Sequence, residues 1–189
     1  MRYRISEIKL DIRQSQEELP TAVRKKIKKK DLDIHDLKII KESVDARKKP
    51  DIKKVYTLEF SCSQKLPLKE AAERRYQVPV ADGSGKDRPV VVGFGPAGMF
   101  AGLILAEMGL KPVILERGEP VEQRIKTVQK FWKDGILDPE SNLQFGEGGA
   151  GTFSDGKLNT VIKDGSGRRT EVMRTFVEYG ADPSIMYIN

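Results

Sequence analysis

Apolar and charged positions alternate over the first dozen residues. Tyr3, Ile5, Ile8, Leu10 and Ile12 stand among Arg, Glu, Lys and Asp, and the phase slips once between Ile5 and Ile8. Alternation with period two predicts a half-buried strand, and the slip predicts a bulge in it. Leu19, Val23 and Ile27 then recur every four residues, the stripe of an amphipathic helix over 16–30, and Leu32 and Ile34 close that segment. Residues 36–46 (DLKIIKESVDA) and 53–62 (KKVYTLEFSC) read as strands flanking RKKPD, where Lys-Pro-Asp suits a turn. The order is β-α-β-β, a small α+β unit. Residues 68–78 (LKEAAERRYQV) predict a short helix, and the PVADGSGKDRP that follows predicts a linker or long loop.

The pattern changes at Pro89. Val90-Val91-Val92 is a bare β-branched run, the mark of a strand buried on both faces of a parallel sheet. Residues 96–108 are rich in Ala, Leu and Met and predict a helix, with Gly109 placed as its C-terminal cap. Residues 111–116 (KPVILE) predict a second buried strand. Residues 119–133 predict a second helix with Pro120 near its first turn. A short strand is expected around 158–162, and a last helix over 170–179, ending before Gly180. The fold class expected is α/β: an α+β domain over 1–80, a linker over 81–88, and part of a Rossmann-type dinucleotide domain over 89–189.

Charge sharpens this division. Residues 1–88 hold 23 Lys/Arg and 15 Asp/Glu, a net +8, whereas residues 89–189 carry a net −2. Basic character therefore belongs to the first domain alone. With 38% hydrophobic residues the chain is too apolar to be wholly disordered. The single cysteine, Cys62, excludes an intrachain disulfide and a CxxC motif, and makes a cytoplasmic location the default. The charged start lacks a signal-peptide core, and no apolar run approaches the ~20 residues of a membrane helix, so no membrane partner is expected.

The chemistry is concentrated in Gly93-Phe94-Gly95-Pro96-Ala97-Gly98, a GxGxxG that follows an expected strand and opens an expected helix. Gly93 allows the tight turn, Gly95 lets backbone approach a pyrophosphate, and Gly98 permits close helix–strand contact. The helix N–H groups and dipole then face the phosphates. Glu116, ending the second strand 18 residues after Gly98, is placed to accept hydrogen bonds from a ribose. The same carboxylate disfavours a 2′-phosphate, leaving NAD and FAD. Pro96-Ala97 in the turn and Glu116-Arg117-Gly118 after the strand resemble the FAD-binding version.

The strings RPVVVGFGPAGMFAGLILAEMGLKPVILERG and NLQFGEGGAGTFSDGKLNT closely resemble a bacterial family of uncharacterised FAD-dependent dehydrogenases within the NAD(P)/FAD-dependent oxidoreductases. KESVDARKKPDIKKVYTLEF resembles the small domain that precedes the FAD domain there. The resemblance implies non-covalent FAD, with NAD(P)H as a candidate electron donor and an unidentified small-molecule redox substrate. It assigns Gly93, Gly95, Pro96, Ala97, Gly98, Glu116 and Arg117 to the ADP half of FAD. Gly148, Gly149, Gly151 and Thr152 correspond to a loop running past the pyrophosphate and flavin. Arg124 corresponds to an arginine that reaches the FAD phosphates, or else is a solvated helix charge. Family members are much longer, so the chain is expected to be an N-terminal fragment whose missing partner is the C-terminal part of its own FAD domain. No catalytic acid or base is assigned.

Other chemistries rank lower. Arg24, Lys25, Lys26, Lys28, Lys29 and Lys30 form the strongest charge cluster, but no aromatic residue interleaves for base stacking, so a solvated helix face is preferred to a nucleic-acid or partner-binding module. His35, the only histidine, has no second histidine or nearby cysteine, and no metal site is expected. Phe131 and Trp132 read as helix core. Ser154, Asp155 and Lys157 read as loop-shaping or ligand-touching residues. An NAD-binding dehydrogenase is the same-class alternative.

Overall fold

Each sheet of this mixed α/β chain is built from strands of one relative direction. The structure, a computed structural model, describes residues 1–72, 75–81, 87–154 and 165–188. It divides into two units, Met1–Tyr76 with Asp164–Asn189, and Gln77–Lys163.

The first unit contains β1 (Arg2–Asp11), α1 (Leu19–Ile27), β2 (His35–Asp45), β3 (Lys53–Ser61) and α4 (Arg168–Glu178). β3 lies between β1 and β2 in an antiparallel sheet. The expected bulge is present: the β1–β3 register shifts between Ile5 and Ile8, and Glu7 has φ 55°. Two carbonyls exposed by it, of Ser6 and Glu7, accept from Lys26 Nζ at 2.8 and 2.9 Å. One face of the sheet buries Tyr3, Ile5, Ile8, Leu10, Tyr56, Leu58 and Phe60 against Leu19 and Val23 of α1. On the other face Glu59 is held between Arg2 and Arg4, with Arg4 Nη2 at 2.5 Å.

α1 is shorter than its apolar stripe suggests. A 3-10 turn at Gln16–Glu18 precedes it, and Lys28 ends it in the left-handed region. Lys29 N–H then reaches back to Arg24 O at 3.1 Å, closing the helix.

The helix expected over 68–78 is absent from the described residues of that stretch. Its backbone pairs with the outer edge of β1 instead: Arg4 N–H donates to Lys69 O at 3.0 Å, and Ala71 N–H to Arg2 O at 2.9 Å. An open strand edge offers unpaired donors and acceptors, and that demand overrides helix propensity. The edge of β2 is covered similarly. Glu42 N–H donates to Tyr187 O at 2.7 Å, and Glu42 bridges Ile188 in parallel. The closing helix, read in the sequence with the second domain, thus clusters with the first unit.

The second unit holds β4 (Val90–Val92), α2 (Pro96–Glu107), β5 (Val113–Leu115) and α3 (Val121–Asp134). β4 and β5 pair in parallel, Val90 with Val113 through Val92 with Leu115. Gly109 caps α2 with φ 79°. β4 is not buried on both faces as its composition suggests: Val92 is 85% exposed. Among the described residues this parallel sheet has two strands, β4 and β5. The strand expected around 158–162 lies outside the described residues, as do Asp155, Lys157 and most of the linker.

Candidate functional site

The strand–turn–helix of the second unit is assembled by close backbone approach. Gly93 N–H donates to Leu115 O at 2.7 Å, carrying the parallel ladder one residue past β4. Gly93 then takes φ 96°, which glycine adopts without strain. A Cβ on Gly98 would overlap the Gly93 carbonyl oxygen, so the first turn of α2 sits directly on the strand end. Gly102 continues that contact, since a Cβ there would lie 2.6 Å from Ile114 Cδ1. Gly95 is the N-cap of α2 and supplies no capping side chain, and Pro96 starts the helix. The N–H groups of Ala97 and Gly98 therefore lie in a helix start without a side-chain cap.

Glu116 stands immediately after β5, against this turn. Its Oε2 accepts from Phe94 N–H at 2.6 Å and its Oε1 from Gly118 N–H at 2.9 Å. The Gly118 N–H is the chief cause that holds this carboxyl below its ordinary range, with partial burial opposing. The carboxylate thus ties the glycine turn to the β5 exit and retains lone pairs for a hydroxyl donor.

The glycine-rich loop meets the turn. Gly148 N–H donates to Phe94 O at 2.9 Å, and a Cβ on Gly149 would lie 3.1 Å from Gly95 Cα and 3.2 Å from Pro96 Cδ. The two glycine stretches singled out in the sequence are therefore in direct backbone contact. Gly148 takes φ 86°, and a Cβ there would overlap Thr152 Oγ1. Gly151 and Thr152 follow in a short 3-10 turn, Ala150–Phe153, and both are exposed.

Arg124 is not a solvated helix charge. It is fully buried. Its Nε donates to Asn142 O at 2.9 Å, Nη2 to Leu143 O at 3.1 Å, and Nη1 to Glu147 O at 2.6 Å and Gly149 O at 2.8 Å. Gly146 O lies 3.4 Å from Nη1, and the guanidinium carbon is 4.9 Å from the centre of the Phe153 ring. Burial pushes the guanidinium pKa down, and the Glu116 carboxylate opposes this. The physical reason is the helix stripe: Arg124 precedes Val128 by four residues, and Val128 is the buried apolar side chain of α3.

Arg117 is exposed. Its guanidinium stacks 3.9 Å over the Phe145 ring, and its Nε is 3.6 Å from Glu140 Oε2. Trp132 is 59% exposed rather than core, and packs edge-on against Phe153 with centroids 6.1 Å apart.

Several residues that shape this site escaped sequence reasoning. Glu147 Oε2 accepts from Val121 N–H at 2.7 Å, capping α3 from a distant loop. Asn142 Oδ1 accepts from Gln144 N–H at 2.8 Å, which turns the chain into the glycine loop. A Cβ on Gly118 would lie 2.5 Å from Gly146 Cα, so two loops cross there with no side chain between them. Asn142 two residues before Gln144-Phe145-Gly146 was a readable turn signal; the Glu147 cap had none, because its partner is remote in sequence.

In the first unit, the basic cluster is partly engaged in structure. Arg24 Nε donates to Leu32 O at 3.0 Å, and Lys26 closes the β1 bulge. His35 lies 3.5 Å from Asp33 Oδ2. Among the described residues no helix is long and apolar enough to cross a membrane.

Residues 2–61 match a family described as "Domain of unknown function (DUF8436)". A protein of Clostridium beijerinckii (strain ATCC 51743 / NCIMB 8052), described as "Uncharacterized protein", is 46% identical over 197 residues. The match takes in 99% of this chain and 37% of that relative, so the chain spans little more than a third of its length.

Proposed function

We propose that the second unit is the ADP-binding start of a Rossmann-type FAD domain, in a longer flavin-dependent oxidoreductase of the NAD(P)/FAD-dependent class. The observation that carries this reading is the contact of the glycine loop with the uncapped N-terminus of α2, beside a carboxylate at the end of the second strand. A glycine N-cap without a side chain leaves helix N–H donors for phosphate oxygens, and the dipole favours the anion. A Cβ on Gly95 would meet Gly149 Cα at 3.7 Å, so the glycine loop lies against the N-cap of α2.

In this reading Gly93, Gly95, Pro96, Ala97 and Gly98 hold the pyrophosphate by backbone. Glu116 accepts from a ribose hydroxyl and repels a 2′-phosphate. Arg117, exposed on its Phe145 platform, borders the adenosine end. Gly148, Gly149, Gly151 and Thr152 supply the wall past which the rest of the cofactor runs. When bound, FAD would supply the electron-accepting ring, while these residues bind and orient it and exclude water. The electron donor proposed is NAD(P)H, and the segments completing the domain belong to the part of the relative that this chain does not span.

The test is a protein spanning the length of the Clostridium relative, purified and examined by absorption. A bound flavin spectrum, with FAD released on denaturation, supports the proposal. Tight NAD binding with no flavin overturns it.

A further inference from the structure

We infer that Arg124 is a positioning residue that holds the glycine loop against the start of α2 through backbone carbonyls, and does not itself grip the ligand. Three observations carry this. The guanidinium is buried and its donors go to the carbonyls of Asn142, Leu143, Glu147 and Gly149, which come from one continuous loop. That same loop is what touches the α2 start, through Gly148 N–H on Phe94 O and Gly149 on Gly95. Finally, a Cβ on Gly146 would lie 2.5 Å from Arg124 Cδ, so the loop is shaped around the arginine stem as well as its head.

The chemistry explains why arginine is needed. A loop folded back on itself turns its carbonyls inward, and inward carbonyls require donors. A planar guanidinium offers five N–H groups spread in fixed directions, whereas an ammonium offers three from one point. Lysine keeps the charge but cannot reach Asn142 O on one side and Gly149 O on the other. A residue reading a phosphate behaves differently: there the charge matters most, and lysine retains part of the function.

The inference rests on the dinucleotide reading only for its binding arm. Amide hydrogen exchange is compared in the parent chain and in Arg124→Lys, both without ligand, and FAD and ADP affinities are then measured for each. Positioning predicts that the amides of Asn142, Glu147 and Gly148 exchange at least about tenfold faster in the variant, the scale of losing one or two charge-assisted bonds. The α2 amides, such as Met99 bonded to Gly95 O, keep their protection. FAD affinity falls by a similar factor, although the charge is retained. Unchanged loop exchange with weakened ADP binding overturns the inference in favour of a direct phosphate contact, and unchanged exchange and affinity overturn it outright. If a protein spanning the length of the Clostridium relative binds no FAD, the dinucleotide reading fails, while loop exchange still decides the role of Arg124. Should Arg124→Lys also unfold α2, Arg124→Ala with millimolar guanidinium decides: loop protection restored by guanidinium and not by methylammonium supports positioning, and restoration by neither overturns it.

Discussion

The two units are held together by different physics. In the first, Tyr3, Ile8, Leu19, Val23, Tyr56, Leu58 and Phe60 are each no more than 2% exposed, and a conventional apolar core forms between one sheet face and one helix. In the second, Val128 is the only buried apolar side chain among the described residues, and the other buried side chains are Arg124, Ser141 and Asn142. Order there comes from glycines that let backbones touch and from polar groups that satisfy them. An apolar core is tolerant, because loss of one methyl group leaves many other contacts. A backbone-on-backbone arrangement is intolerant, because one added carbon has nowhere to go. Intolerance of this kind suits a site whose geometry matters more than its stability.

The largest expected effect tests the first half of this contrast. Phe60→Ala, emptying a fully buried position beside Tyr3, should destabilise the first unit by about 3–5 kcal/mol. Denaturant dependence of amide exchange in β1–β3 measures it. A cost under about 1 kcal/mol would mean that the core is loosely packed, and the contrast would collapse.

Next comes the smallest possible chemical change in the second unit. Gly98→Ala improves helix propensity by about 1 kcal/mol, yet its methyl group would overlap Gly93 O. We expect a net loss of about 1–3 kcal/mol, read from the denaturation midpoint of Trp132 fluorescence, since Trp132 is the only tryptophan and lies in this unit. Stabilisation by alanine would show that α2 does not rest on the strand end.

The subtlest effect is a pH dependence. The folded-state pKa of Glu116 is lowered, so its stabilisation is fully present above the ordinary value of 4.5 and is lost as pH falls through the lowered folded value. Acid titration followed by Trp132 should show that limb in the parent protein and lose it in Glu116→Gln. The variant should also lose about 1–2 kcal/mol at neutral pH as two charge-assisted bonds weaken. Coincident acid curves would place the carboxylate outside the turn.

The same contrast explains what the sequence made legible. Alternation revealed β1, β2 and β3 because each has one face in an apolar core, and even the bulge at Ile5–Ile8 left its trace as a phase slip. In the second unit, glycine spacing revealed the turn and its contact with Gly148–Gly149, since only glycine permits such approach. Two features were hidden. LKEAAERR carries strong local helix propensity, but the β1 edge pairs with the backbone of Lys69, Glu70 and Ala71, a tertiary demand that no local pattern records. Arg124 reads as a surface charge by type, while its place four residues before Val128 put it on the inward stripe. Residue type and position disagreed there, and position won because the loop carbonyls supplied what burial of a charge requires.

The pairing of Glu42 with Tyr187 and Ile188 has a consequence for how the chain is made. More than a hundred residues separate the two sides of that edge, and they include the whole second unit. Closing so long a loop is entropically slow compared with forming the neighbouring hairpin. During synthesis, β1, α1, β2 and β3 emerge early and can collapse while the rim of β2 still lacks its last neighbour. The second unit is then synthesised before residues 184–188 arrive to cover that rim. The order of pairing is thus written into the connectivity: hairpin first, seam last.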